Sequence, residues 1–107
     1  MWSPSLLQPV LAKDLAQELT DDYEEGLKKY SQKRMYVKGT VRYSGPDMYG
    51  LPSIELSDRA DGLIDCVCVF ETPVDEYQEG DTVTVIGNFT GCVPKYGPVF
   101  KKSEVVG

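Results

Sequence analysis

The side chains that most often perform acid–base or nucleophilic chemistry are scarce in this sequence. It contains no histidine, and its three cysteines are Cys66 and Cys68 in a C-x-C pair and the distant Cys92. That spacing matches no familiar zinc site, and three cysteines are too few for a disulfide framework. We interpret them as buried free thiols, while a pairing of Cys92 with Cys66 or Cys68 stays open.

The remaining titratable residues do not form a recognisable catalytic or metal-binding motif. Asp58, Asp61 and Asp65 lie close together, but they lack the full ligand set and the terminal Glu of a calcium loop. A solvated turn is the favoured interpretation, because turns are often rich in Asp. The sequence therefore predicts a protein that is not an enzyme, with no catalytic residue, no metal and no cofactor.

Aromatic and basic side chains offer a different chemistry, the binding of an extended ligand. Tyr stacks on nucleobases or sugar rings, and Lys and Arg contact phosphates, which predicts single-stranded nucleic acid or an oligosaccharide as partner. Each candidate can equally be an ordinary surface residue. The candidates are Tyr36, Lys38 and Arg42, expected on the outward face of a strand, and Tyr49, Lys95 and Tyr96, expected on two loops.

The net charge of −6 opposes a nucleic-acid ligand, because the field of the whole molecule repels phosphate. The acids crowd between Asp14 and Glu25, and bases follow from Lys28 to Arg42. This order suits the macrodipole of a helix, and it also allows a local basic stripe. A second hypothesis follows, an acidic protein-interaction or structural domain that has a protein partner and no nucleic-acid ligand.

The elements that must position these residues are one helix and five strands. A stripe of apolar residues at helical spacing predicts a helix over about residues 5–31, with Gly26 as a weak point near its end. The stripe comprises Leu7, Leu11, Leu15, Leu19, Tyr23, Leu27 and Tyr30.

Alternation of apolar and polar residues then predicts strands at about 35–43, 53–57, 63–70, 82–89 and 99–106. On the first strand Met35, Val37, Val41 and Tyr43 should point inward, and the third strand is apolar on both faces. Five short strands remove their free edges by closing, and the in-strand glycines Gly39 and Gly87 suit tight bends. The predicted fold is mainly β. It is a five-stranded OB-fold barrel over about residues 34–106, and the helix caps it.

The length of 107 residues suits one domain, so we treat residues 1–107 as a single unit. No apolar run approaches the roughly 18 residues of a membrane span. Residues 1–15 lack the pattern of a secretory signal, which indicates a cytoplasmic protein for the sequence as it stands.

Several segments together resemble the tRNA_anti-like family of small bacterial OB-fold proteins, whose members include lipoproteins and domains without an assigned function. The resemblance spans most of the chain. The segments are Tyr30-Ser31-Gln32-Lys33, Val37-Lys38-Gly39-Thr40-Val41, Gly50-Leu51-Pro52-Ser53-Ile54-Glu55-Leu56-Ser57-Asp58, Cys68-Val69-Phe70 and Glu79-Gly80-Asp81-Thr82-Val83-Thr84-Val85-Ile86-Gly87.

The resemblance implies an OB fold and leaves open an exported or lipid-anchored parent, although this chain lacks the cysteine of a lipoprotein signal. Asp22 and Gly26 depart from the family, which usually has Asn and Ala there, so the helix packing is expected to differ. The family name suggests anticodon-binding relatives, but a shared fold does not specify a tRNA ligand.

Overall fold

A computed structural model of the chain describes residues 9–94 and 96–106. Within these residues there are two helices and six strands. The helices are α1 (Ala12–Asp21) and α2 (Tyr23–Tyr30), and the strands are β1 (Val10–Leu11), β2 (Arg34–Pro46), β3 (Pro52–Ser57), β4 (Cys66–Val69), β5 (Thr82–Val93) and β6 (Gly97–Val105).

Strands β2 to β6 close into a barrel. The order of pairing is β2, β3, β4, β6, β5, and β5 pairs back with the first half of β2. All these pairs are antiparallel except β4 with β6, and the short β1 adds to β2 in parallel. This connectivity confirms the predicted five-stranded OB-fold barrel.

Strand β2 serves both halves of the barrel because it is long and irregular. Residues 34–40 pair with β5, and residues 40–46 pair with β3. Val41 lies opposite Leu56 and Tyr43 opposite Glu55, so Arg42 is an extra residue and the register shifts there. Such a β-bulge bends the strand and changes which face the next side chains occupy.

The core fills the inside of the barrel with aliphatic and aromatic side chains. Phe100 is fully buried, and the ring of Phe89 packs between those of Phe100 and Tyr30, at centroid distances of 5.8 and 5.9 Å. Leu15 and Leu19 of α1 are buried in the same cluster, so the helical segment caps one end of the barrel as predicted. Cys66 and Cys68 point into this core, and all three cysteines are free thiols.

The helical region differs from the single helix predicted over about residues 5–31, because the chain breaks at Asp22 rather than at Gly26. Asp22 has φ −149° and ψ 88°, and its carboxylate accepts a hydrogen bond of 3.2 Å from the Glu25 amide. Asp is a preferred N-cap, so its side chain ends α1 and starts α2. Leu11 belongs to β1 and is exposed, as is Tyr23, while Ser5 and Leu7 lie outside the described residues.

Glu18 holds the two helices together after this break. One carboxylate oxygen accepts from the Tyr30 hydroxyl at 2.7 Å, and the other accepts from Lys29 Nζ at 3.0 Å. Both contacts lower the pKa of Glu18, and the hydrogen bond from Tyr30 has the larger effect. Neither described helix has the length and apolar composition required to span a bilayer.

Candidate ligand-binding groove

An open groove of about 360 Å³ crosses the outer face of β3 and β4. The β2–β3 loop forms one rim and the β5–β6 turn forms the other, which is where OB folds bind oligonucleotides and oligosaccharides. The described residues that line it are Tyr43, Pro46, Asp47, Met48, Tyr49, Ser53, Glu55, Val67, Val69, Val93, Tyr96 and Val99.

The floor of the groove is apolar because β4 carries valine on its outward face. Val67 and Val69 are only 7% and 8% exposed although they point away from the barrel core. Val99 of β6 lies opposite Val67 and extends the same surface. Flat rings can therefore lie against the floor and displace water from apolar surface.

The β2–β3 loop is held in place by its own hydrogen bonds. Asp47 Oδ1 accepts from the amides of Tyr49 at 2.8 Å and Leu51 at 2.9 Å, and the Asp47 amide donates to the Leu51 carbonyl at 2.8 Å. This Asx-type closure fixes the loop while the Met48 and Tyr49 side chains stay exposed, at 61% and 80%. The Tyr49 ring is thus presented on a preorganised backbone.

The opposite rim is built by the turn between β5 and β6. The Tyr96 amide donates to the Val93 carbonyl at 3.0 Å, and Gly97 follows with φ +73°. A Cβ at Gly97 would lie 2.9 Å from the Asp65 carbonyl oxygen, so a side chain there would be strained and would collide with backbone. The close packing of this turn on the residue before β4 places Tyr96 at the groove.

Tyr43 forms a third aromatic surface, because the β-bulge redirects it. The sequence predicted that it points inward, whereas it is half-buried in the groove wall opposite Glu55. Its hydroxyl donates to the Pro46 carbonyl at 2.7 Å, which fixes the ring orientation. The simple alternation of the strand therefore gave the wrong face for this residue.

Arg42 lies beside the groove and is occupied by intramolecular contacts. One terminal nitrogen donates to Glu55 Oε1 at 2.6 Å, and Nε donates to the Gly62 carbonyl at 2.8 Å. The Arg42 side chain is 37% exposed and the Glu55 side chain 14%. The guanidinium therefore neutralises a carboxylate of the groove rather than facing solvent as a free cation.

The six residues that the sequence singled out do not share one face. Tyr49 and Tyr96 lie in the groove, and Arg42 lies next to it. Tyr36 and Lys38 belong to the part of β2 that pairs with β5, and Lys38 lines a smaller depression near the start of α1. Lys95 lies outside the described residues.

Sequence reasoning missed Tyr43, Glu55 and the two valines of β4. The valines did leave a signal, since an apolar outward face on a strand indicates a surface that is covered or that binds. The bulge that brings Tyr43 to the groove and Arg42 to Glu55 left no signal in the sequence, because it depends on how β2 pairs with β3.

The three thiols lie apart from the groove lining, and those of Cys66 and Cys92 are poor nucleophiles. Cys66 is fully buried, and its hydrogen bond with Cys68 together with burial raises its pKa well above the ordinary value. Burial also raises the pKa of Cys92. A raised pKa keeps a thiol protonated at neutral pH and lowers its reactivity.

Comparisons with known proteins agree with this fold. A crystal structure of a candidate nucleic acid-binding lipoprotein from Klebsiella pneumoniae subsp. pneumoniae is similar to this chain, with a TM-score of 0.62 at 14% identity and 92% of each chain covered. At this identity the similarity concerns the fold alone. No curated protein matches the sequence. The tRNA_anti-like family model matches residues 5–105, and the chain therefore belongs to the tRNA_anti-like family.

Proposed function

We propose that this protein is a non-catalytic OB-fold binding module that holds single-stranded nucleic acid in the groove across β3 and β4. The observation that carries the proposal is the arrangement of Tyr43, Tyr49 and Tyr96 around an apolar floor. Base stacking on aromatic side chains contributes about 1–3 kcal/mol per base and tolerates any sequence. Of the residues predicted from the sequence, we assign ligand contact to Tyr49 and Tyr96.

The fold and its neighbour support this ligand class. The groove occupies the position that OB folds use for oligonucleotides, and the similar Klebsiella protein is named as a candidate nucleic acid-binding lipoprotein. A duplex keeps its bases stacked inside, so rings on an open groove suit a single strand.

The charges of the groove indicate contact through bases rather than phosphates. Its described lining includes the carboxylates of Asp47 and Glu55 and no Lys or Arg. Each phosphate that a protein neutralises adds to the salt dependence of binding. We therefore expect a weaker salt dependence than a basic stripe would give. An oligosaccharide could use the same rings, and the experiment below distinguishes the two.

The non-catalytic part of the proposal is supported by the chemistry of the nucleophiles. The sequence has no histidine to serve as a base at neutral pH. The Cys66 and Cys92 thiols have raised pKa values and lie outside the groove lining. Binding without turnover is what these features favour.

The proposal is tested by fluorescence anisotropy with labelled single strands of DNA and RNA, a labelled duplex of the same sequence, and labelled neutral oligosaccharides. Tyr49→Ala and Tyr96→Ala should each weaken single-strand binding about 5- to 150-fold, from the loss of one stacked base. Tyr23→Ala is the matched control, because Tyr23 is exposed on α2 outside the groove.

Two results would contradict the proposal. If both groove variants bind as the unchanged protein does, the tyrosines do not hold the strand. If no strand binds at low salt while an oligosaccharide does, the groove has a different ligand class.

A second candidate function, contact with a protein partner, is favoured by the acidic surface of the helices. Asp14, Asp21, Asp22, Glu24 and Glu25 are all exposed. A basic partner would be attracted to such a surface, and its binding should weaken with salt and should be unaffected by Tyr49→Ala.

A further inference from the structure

Glu55 is a carboxylate set between apolar and aromatic side chains in the groove. It lies on β3 opposite Tyr43 of β2 on one side and opposite Val67 of β4 on the other. All three residues line the groove, and the Glu55 side chain is only 14% exposed. A ring stacked over this part of the floor would bring its edge close to the carboxylate.

The two oxygens of Glu55 have different environments. Oε1 accepts from Arg42 at 2.6 Å, and Arg42 is itself anchored on the Gly62 carbonyl at 2.8 Å. Within residues 9–94 and 96–106, no donor is within hydrogen-bond distance of Oε2, and Oε2 is not among the atoms sealed away from solvent. Oε2 is therefore an acceptor that the groove can offer to a ligand.

An ionised carboxylate accepts hydrogen bonds and cannot donate them, so it selects ligands by their donors. Cytosine, adenine and guanine carry an exocyclic amino group, whereas uracil and thymine present a carbonyl oxygen at the position where cytosine has its amino group. Protein carboxylates accept from the cytosine N4 amino group in known complexes. A carbonyl oxygen at that place would face Oε2 as a second acceptor. The donor that uracil and thymine keep on this edge, N3–H, lies one ring position away, so a base held in the same pose cannot replace the amino contact with it.

We propose that Glu55 is a specificity-determining residue that makes the groove select nucleobases with an exocyclic amino group over uracil and thymine. The inference rests on the proposed function, since it requires bases in the groove. Arg42 acts as a positioning residue, because it is anchored on Gly62 and holds Oε1, while Oε2 has no hydrogen-bond partner among the described residues. The selection is expected to be modest, because one such contact is a small part of a stacked complex.

The test compares oligo(dC) with oligo(dU) of equal length, about 12 nucleotides, at neutral pH. These pyrimidines have rings of the same size and differ in the group at position 4 and in N3, which is an acceptor in cytosine and a donor in uracil. The unchanged protein should bind oligo(dC) at least about 5-fold more tightly, the lower end of the discrimination that a good base contact provides. A strand of 2-pyrimidinone, which has neither the amino group nor the carbonyl at position 4, should bind with intermediate affinity.

Glu55→Gln keeps the shape of the side chain and replaces one oxygen with an amide donor. The variant should lose the preference for oligo(dC), because the amide can donate to the uracil carbonyl. Glu76→Gln is the matched control, since it removes the same charge from an exposed residue outside the groove. Circular dichroism verifies the fold of both variants. The 2-pyrimidinone strand tests the contact on the ligand side, with no change to the protein.

The outcomes separate this inference from the proposed function. Equal binding of the two strands by the unchanged protein, or a preference that survives Glu55→Gln, would overturn the role of Glu55 while leaving a stacking groove. Affinity for 2-pyrimidinone equal to that for cytosine would overturn it as well. If neither strand binds, the proposed function fails, and this inference fails with it.

Discussion

Replacing Arg42 with Met is the perturbation that best tests how the groove is held together. The change keeps an unbranched apolar side chain of similar reach and removes the guanidinium. Two hydrogen bonds are lost, the 2.6 Å contact with Glu55 and the 2.8 Å contact with the Gly62 carbonyl. One joins β2 to β3 and the other joins β2 to the loop between β3 and β4, so we expect a loss of stability.

The magnitude follows from the strength and exposure of these contacts. Hydrogen bonds that involve a charged group contribute about 1.5–3 kcal/mol each when buried. Because the Arg42 side chain is 37% exposed, we expect each of its two hydrogen bonds to contribute about 1.5 kcal/mol or less. The Glu55 carboxylate, 14% exposed, would also be left without its counter-ion. Together these effects predict a loss of about 2–3 kcal/mol in the free energy of unfolding.

Urea denaturation followed by circular dichroism measures this loss. With a slope of about 1–3 kcal/mol per M for a small domain, the midpoint should fall by about 0.7–3 M. The double variant Arg42→Met/Glu55→Gln should recover about 1 kcal/mol, because no unpaired carboxylate remains. An unchanged midpoint for the single variant would refute the reasoning and would return Arg42 to the role of a surface cation.

Two further substitutions test packing and electrostatics outside the groove. Gly26→Ala should lower stability by about 1 kcal/mol, because the new Cβ would overlap Leu19 Cδ2. This overpacking costs more than the roughly 1 kcal/mol that Ala gains over Gly in a helix. An equal or higher urea midpoint would contradict the close contact of α1 and α2. Asp65→Asn should raise stability at neutral pH, because burial and then the charge of Asp58 raise the pKa of Asp65 in the fold. The Asp65 carboxyl favours the folded protein most when it is protonated, below its pKa of 3.8 in the unfolded chain, and this contribution is lost as pH rises through its higher pKa in the fold. The urea midpoints of variant and parent should therefore converge below pH 3.8. A difference that is the same at both pH values would argue against this titration.

The barrel could be predicted because its signals are local. Each of the five strands appears in the sequence as an alternating or wholly apolar segment, and the structure has a strand at each of these places. The helix was less well predicted, because the break depends on the Asp22 side chain capping α2 and not on the apolar stripe, which runs through it. The stripe identified Leu15, Leu19 and Tyr30 as buried, but Leu11 and Tyr23 are exposed because the chain departs from one continuous helix at both places.

The candidate groove could be predicted only in part, since loop residues are easier to assign than strand faces. Tyr49 and Tyr96 were found because turn composition placed them on the two loops that border an OB groove. Tyr43 was assigned to the core because strict alternation has no means of anticipating the extra residue at Arg42. Lys38 and Tyr36 were grouped with the loop residues by chemistry alone, yet pairing of their part of β2 with β5 separates them from the groove.

The net charge of −6 is a weaker argument against a nucleic-acid ligand when the positions of the charged residues in the fold are considered. Exposed acids lie on the helical region, on the connections before and after β4 and on β6, and none of them lines the groove. Of the two carboxylates that line the groove, Glu55 pairs with Arg42 beside it, and one oxygen of Asp47 accepts from two loop amides. For the single strand that we propose as ligand, phosphates would gain little there, whereas bases would meet an apolar floor, aromatic rings and an acceptor without a partner among the described residues. The charges that line the groove, rather than the total charge, therefore favour contact through the bases.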